Sequence, residues 1–188
     1  MIRHAEAEAV SANAPAVRVC RSPGRAILQV KSWMSDVVSR DLPMSLQDAR
    51  LPDQVGSVVS GSPRVLCTAP REWLLVSQDS NLEQHSKMLA TEANALGLVS
   101  IDISAGLIIL RLSGSAVRDM LEKGCGLDLH PLRFGQGQCA RTRFANIPVV
   151  VDLVKSPDRF ELYVARSYTQ YLEHWIAEAA TEFDGRTV

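Results

Sequence analysis

The sequence predicts an α+β fold, with mixed, mainly antiparallel sheets, helices packed on them, and two small lobes. Three observations carry that expectation. Short apolar runs recur from Ala26 onward, and several are separated by breaks of only a few residues, as in hairpins. Two longer runs, near 81–97 and 167–182, repeat apolar residues at helical spacing. No GxGxxG or phosphate loop joins a strand to a helix, because Gly114, Gly124 and Gly126 do not make one, and the mixed order of elements excludes a doubly wound parallel sheet.

Residues 1–25, rich in Ala, Arg, Ser and Pro and ending at Ser22-Pro23-Gly24, are expected to form a flexible N-terminal arm, ordered only when a partner holds it. Residues 26–188 form the domain, with lobes at about 26–98 and 99–182. Ala26–Trp33 alternates as a strand does. Ser35 or Asp36 caps a short helix that Pro43 ends, and 43–55, with two prolines, is a loop. Strands at Ser57–Ser60 and Arg64–Thr68 meet at Gly61-Ser62-Pro63, and Glu72–Ser77 follows. Asn81 caps a helix that carries Leu82, His85, Leu89, Ala93 and Leu96 and ends at Gly97. Strands at Val99–Ile103 and Leu107–Leu112 flank Ala105-Gly106. Ser113 or Ser115 caps the helix of Val117, Met120 and Leu121. Strands at Cys139–Phe144, Pro148–Val154 and Arg159–Val164 precede a last helix, Ser167–Glu182, with Tyr171, Leu172, Trp175, Ile176 and Ala179 on one face.

Composition narrows the function. The chain has 188 residues, 46% hydrophobic and 22% charged, with a formal net charge of −1. No global basic field favours nucleic acid or an anionic membrane, and an aromatic content of 5% argues against a base-stacking platform. No apolar run approaches the roughly 20 residues that span a bilayer. The N-terminal residues lack a signal-peptide core. Cys20, Cys67, Cys125 and Cys139 lie far apart without CxxC spacing, so reduced thiols and a cytoplasmic location are expected.

The richest stretch is Lys123-Gly124-Cys125-Gly126-Leu127-Asp128-Leu129-His130-Pro131. Gly124 is expected to supply a positive φ that closes a helix, and Pro131 to stop its continuation. Cys125, Asp128 and His130 invite a zinc site, but the fourth ligand that zinc prefers has no source at paired spacing. The favoured expectation is structural: a small buried thiol, an aspartate capping a turn, and a histidine bonded to backbone. A Cys–His nucleophile pair, from Cys125 or Cys139 with His85, His130 or His174, lacks a catalytic context. Trp73 is expected in the core with Glu72 at its rim. Asp102 and Ser104 are expected to form a turn. Arg111, Arg118, Arg141, Arg143 and Arg166 are candidates for subunit contacts, with a solvated face as the alternative.

These motifs, in order, also resemble a known family. Pro70-Arg71-Glu72-Trp73-Leu74-Leu75-Val76, Asp102-Ile103-Ser104, Leu110-Arg111-Leu112-Ser113-Gly114 with Arg118, the Lys123–Pro131 run, Cys139-Ala140-Arg141-Thr142, Phe160-Glu161-Leu162-Tyr163-Val164 and Arg166-Ser167-Tyr168 resemble segments of the gamma subunit of heterotetrameric sarcosine oxidase. They span roughly 26–180. The resemblance implies a shortened branch of the folate-binding aminomethyltransferase-like fold. It implies a non-catalytic accessory subunit in a complex that oxidatively demethylates sarcosine to glycine, with hydrogen peroxide and either formaldehyde or methylene-tetrahydrofolate as the other products. No cofactor is expected on this chain; FAD, FMN, NAD and tetrahydrofolate would sit on partner subunits of alpha, beta and delta type. Glu72, Trp73, Arg111, Arg118, Lys123, Asp128, His130, Arg141 and Arg166 are the family-motif or interface candidates. Deleting residues 1–25 is expected to weaken association without unfolding the domain.

Three alternatives stay open: a gamma-type subunit of a related N-methyl amino acid dehydrogenase, a stand-alone folate-binding or transfer protein, and an unrelated self-associating module. In the related aminomethyltransferases an acidic residue follows a hairpin turn. Here that stretch is Phe144-Ala145-Asn146-Ile147-Pro148-Val149-Val150, without an acid, and Asp152 lies further along, at the end of the strand and out of register. A general acid or base needs a carboxylate within reach of the amine, so the departure argues against transferase activity.

Overall fold

A computed structural model describes residues 15–33, 50–77, 97–155 and 159–184. The helices expected near 35–42 and 81–96 lie outside them. Ten strands form two five-stranded sheets. In chain order they are β1 Arg18–Arg21, β2 Ala26–Ser32, β3 Val58–Val59, β4 Arg64–Ala69, β5 Glu72–Ser77, β6 Leu98–Asp102, β7 Leu107–Ser113, β8 Cys139–Phe144, β9 Ile147–Lys155 and β10 Arg159–Ala165. Helices α1 Val117–Glu122 and α2 Thr169–Asp184 follow β7 and β10.

The first sheet runs β3-β4-β5-β2-β6 and the second β1-β7-β10-β9-β8. All pairs are antiparallel. Period-two alternation gives each strand two faces. On one face of the second sheet, Leu110, Leu112, Val151, Leu153, Phe160 and Leu162 pack on α1 and α2. On the other face, Ile109, Cys139, Val150 and Tyr163 meet Ile27, Leu66, Leu74 and Val76 of the first sheet. The first sheet's remaining face buries Leu28, Val30, Val65, Trp73 and Leu75 with Leu51. Both sheets are thus apolar on both faces, which is why their strands read as nearly continuous hydrophobic runs.

The hairpin between β8 and β9 closes at Phe144↔Ile147 over two residues, Ala145 (φ 49°) and Asn146 (φ 67°). Two positive φ values match the right-handed twist of the flanking strands, the reason such turns take asparagine. Gly114 (φ +131°) brings its Cα against the bend leading into β1, where a Cβ would lie 2.3 Å from the Ala16 carbonyl oxygen.

Several expectations need correction. The C-terminal part of the expected arm belongs to the fold: Arg18–Arg21 pairs along β7, and the partly buried Arg25 forms an ion pair with the buried Glu161. Residues 1–14 are outside the described range. Helix α1 is capped by neither Ser113 nor Ser115. Ala116 stands at its N-cap with no side-chain bond, and its N–H is held by Ala16 oxygen at 3.0 Å. Among the described residues Gly124 is not one with positive φ. It is small because Trp175 and Phe144 press on it, at 2.7 and 2.9 Å from where a Cβ would stand. Tyr171 is exposed, and the buried stripe of α2 is Leu172, Ile176, Ala179 and Phe183. Asp152 lies inside β9, which runs on to Lys155, so it does not end a strand.

Candidate functional site

The polar chemistry of this fold is concentrated between the two sheets. Asp152 of β9 and Glu161 of β10 are cross-strand neighbours, both fully buried and both facing the first sheet. Arg64, from β4 of the opposite sheet, grips Asp152 in a two-pronged contact, with Nε and Nη2 each 2.7 Å from a carboxylate oxygen. Arg25 grips Glu161 the same way at 3.0 and 2.9 Å, and Arg111 adds a third contact to Glu161 at 3.4 Å. The Tyr163 hydroxyl donates to Glu161 at 3.3 Å. Planar guanidinium forks suit such recognition, and charges this deep persist only when paired.

Electrostatics follow depth. Burial pushes the Asp152 carboxyl above its ordinary range, although Arg64 opposes the shift. For the less buried Arg64, the Asp152 carboxylate outweighs burial and raises its pKa. Burial, with Asp152 and Glu161 nearby, drives Tyr163 well above the usual phenol range.

A second ion cluster lies further along the same interface. Glu72 of β5 accepts from Arg141 of β8, from Lys31 at 3.2 Å and from Gln29 Nε2 at 3.0 Å. Burial alone would raise its pKa, but these donors hold it below the usual carboxylate range. Trp73 beside it turns to the other face and donates from Nε1 to the Pro52 carbonyl at 2.7 Å.

Two concavities open here. A cleft of about 280 Å³ runs between the sheets past Gln29, Leu74, Ile103, Arg141, Val150 and Tyr163. A hollow of about 560 Å³ lies where the sheets join, lined by Val55, Leu127, Phe134, Gln138 and Arg141. Cys139 is in its wall. Its thiol is pushed up to about 12 by burial, with Asp152 and Cys67 adding to the effect and Arg64 opposing, so it stays a neutral thiol and a poor nucleophile.

The Lys123–Pro131 run takes the structural form the sequence favours. Cys125 is buried, its sulfur 3.7 Å from the Thr142 hydroxyl. Asp128 Oδ1 accepts from the His130 N–H at 3.0 Å, and His130 Nδ1 accepts from the Leu132 N–H at 3.3 Å. Arg118 of α1 clamps the segment by donating to the carbonyls of Leu129 and Phe134, with its guanidinium 5.1 Å from the Phe160 ring centre. Lys123 reaches the end of α2, donating to the Ala179 carbonyl at 3.2 Å and to Glu182 at 2.7 Å, where a cation complements the helix terminus. Asp102 and Ser104 form the expected turn, with the Ser104 N–H on Asp102 Oδ1 at 2.8 Å. Arg166 Nε donates to the Ala105 carbonyl at 2.8 Å. Among the candidates, the fold therefore brings Glu72 to Arg141 and keeps Asp128 beside His130. It leaves Arg111, Arg118, Lys123 and Arg166 in separate contacts. Arg25, Arg64, Asp152 and Tyr163 were not among the candidates, and their one signal was acids inside apolar runs, as in Val151-Asp152-Leu153 and Phe160-Glu161-Leu162.

Among the described residues no cluster of three or more His, Cys, Asp or Glu is placed to hold a metal ion. No helix among them is long and apolar enough to cross a membrane.

The family model described as the sarcosine oxidase, gamma subunit family matches residues 39–182. The chain belongs to that family. The sarcosine oxidase subunit gamma of Corynebacterium sp. (strain P-1) is 36% identical over 141 residues, covering 73% of this chain and 68% of that protein. The subunit gamma of an Arthrobacter species is 32% identical over 176 residues, covering 88% and 85%. Among solved structures, the heterotetrameric sarcosine oxidase from Corynebacterium sp. U-96, in complex with pyrrole 2-carboxylate, contains a chain that superposes with a TM-score of 0.80 at 26% identity, over 95% of this chain and 90% of that one. The glycine cleavage system aminomethyltransferase T from Bartonella henselae shares the fold, with a TM-score of 0.57 at 12% identity over 87% of this chain and 46% of that one. The expected aminomethyltransferase-like α+β fold is thereby established for this gamma-family chain.

Proposed function

We propose that this chain is the non-catalytic accessory subunit of a multi-subunit sarcosine oxidase, a complex that oxidatively demethylates sarcosine to glycine. The superposition on a chain of the heterotetrameric enzyme, over nearly the whole of both chains, carries the reading. The chemistry of the interior supports it. Asp152 is engaged by Arg64, Glu161 by Arg25 and Arg111, and Glu72 by Arg141 and Lys31, so the buried carboxylates bind one sheet to the other.

On this reading the isolated chain does not oxidise amines. FAD, FMN, NAD and tetrahydrofolate belong to alpha-, beta- and delta-type partners in the cytoplasm, and the CH–NH bond of the amine is oxidised there. Co-expression with the neighbouring large flavoprotein subunits, followed by size-exclusion chromatography and amine-oxidation assays with and without this chain, tests it. Co-elution, with activity or stability lost in its absence, is expected. A separate peak with full activity in its absence refutes it. A panel of amines including N-methylglutamate fixes the substrate, and tetrahydrofolate binding by the isolated chain would move the assignment to a stand-alone folate protein.

A further inference from the structure

Strand β6 is the outer strand of the first sheet: β2 pairs along one side, and among the described residues no strand pairs along the other. Natural edge strands are protected by lysines, prolines or bulges, because their free N–H and C=O groups invite another chain to pair. The sequence of β6, Leu98-Val99-Ser100-Ile101-Asp102, has no lysine or proline, and its pairing with β2 runs without a bulge. Two of its apolar residues are in water, Val99 at 42% and Ile101 at 52% exposure, and Trp33, at the end of the neighbouring β2, is 55% exposed. Trp33 is tied to the start of β6 by its N–H on the Gly97 carbonyl at 3.2 Å.

Register fixes which way the exposed pair faces. Ile101 lies opposite Gln29 and Val99 opposite Lys31. Gln29 lines the 280 Å³ cleft between the sheets, so Ile101 and Val99 extend that side of its mouth. Across the cleft stand Arg141, Pro148 and Val150. Arg143 pairs with Pro148 and shares the strand face of Arg141. Arg141 and Lys31 share the single carboxylate of Glu72, and Arg143 adds a further cation, so the mouth is net positive.

We propose that the edge of β6 and the cleft beside it receive an extended segment of a partner subunit, apolar at alternate positions and presenting an acidic side chain to Arg141 and Arg143. Main-chain groups that no described strand pairs select a strand, Val99, Ile101 and Trp33 select apolar side chains, and the rim selects an acid. A second copy of this chain fits poorly, because symmetric pairing through β6 would set the same cationic rims against each other. The inference rests on the accessory-subunit reading.

The test uses the complex obtained by co-expression with the flavoprotein subunits. Hydrogen–deuterium exchange of residues 98–102 is compared between the complex and the isolated chain, and assembly is measured for Ile101→Asp and Arg143→Glu. Both variants alter exposed positions, and a melting curve checks their folding. Exchange in β6 slowed at least about tenfold by assembly, with at least about tenfold weaker assembly of each variant, is expected, tenfold being about 1.4 kcal/mol. Assembly of wild type without slowed exchange in β6, or of both variants to the wild-type extent, overturns this proposal alone. Protection of β6 through self-association of the isolated chain overturns the choice of occupant. Failure of wild type to assemble overturns the accessory-subunit reading and this one with it.

Discussion

Replacing Arg64 with methionine isolates the cost of a lone charge between the sheets. Asp152 is fully buried and receives hydrogen bonds from Arg64, whose side chain is 12% exposed. Removing one member of a buried pair costs about 3–5 kcal/mol, because the remaining charge is left without compensation. The slight exposure of Arg64 argues for the lower end, about 3 kcal/mol. For a chain of this size that lowers Tm by roughly 6–12 °C. The sign with pH is fixed. The folded pKa of Asp152 is raised by burial even with Arg64 present, and loss of the arginine raises it further. Such a group stabilises the fold when protonated, and that stability is lost as pH rises through the folded pKa, so acidification from neutrality should restore part of the deficit. Urea denaturation at pH 7 and pH 5, for Arg64→Met and for Arg64→Met/Asp152→Leu, measures both effects. The double variant should recover to within about 1–2 kcal/mol of wild type, since buried pairs are often replaceable by apolar side chains. A single-variant loss under about 1 kcal/mol, or one that deepens on acidification, would refute the reasoning.

Other outcomes follow from the same contacts. Gly124→Ala would set a Cβ 2.7 Å from Trp175 and 2.9 Å from Phe144, so a loss of about 1–3 kcal/mol is expected on chemical denaturation. Asn146→Val places a β-branched residue at φ 67° and should cost about 1–2 kcal/mol, whereas Asn146→Gly should leave stability near wild type. Glu72→Gln should flatten the acid limb of the stability profile. The folded pKa of Glu72 is lowered from 4.5, so its contribution is full above that value and vanishes as pH falls through the folded pKa; melting temperatures between pH 6 and pH 3 would show it. Thiol titration of the native chain should find one fast cysteine, the exposed Cys20, and a Cys139 that reacts only on unfolding.

Much of the architecture was legible because the strands are short, apolar and closely spaced, so β4, β5, β7, β8 and β10 lie within a residue or two of their expected limits. Strand β1 was not. Arg-Val-Cys-Arg has no apolar alternation, and its partner β7 lies about 90 residues on, with Arg18 opposite Ser113. The start of α1 misled for a related reason, since its first turn is fixed by the Ala16 carbonyl, which no capping pattern records. The buried network was hidden by its own geometry. Period two assigns an acid in an apolar strand to a solvent face, but here that face is covered by the first sheet, and the arginines that meet the acids, Arg64 of β4 and Arg25 just before β2, are 88 and 136 residues away. The Lys123–Pro131 turn was legible because its hydrogen bonds are local, within two residues of Asp128 and His130.

The position of Arg25 sets an order of events during synthesis. Residues 18–32 emerge early, yet β1 and β2 belong to different sheets, and Arg25 between them closes on Glu161, 136 residues later. Until β7 and β10 exist, β1 has no ladder to join and Arg25 keeps its water. Residues 18–25 therefore cannot take their place until strands made about 90 to 140 residues later are present, and contacts of such long sequence separation are slow to form. Any partner present during translation meets a chain whose first sheet can pair while its N-terminal strand still awaits a place.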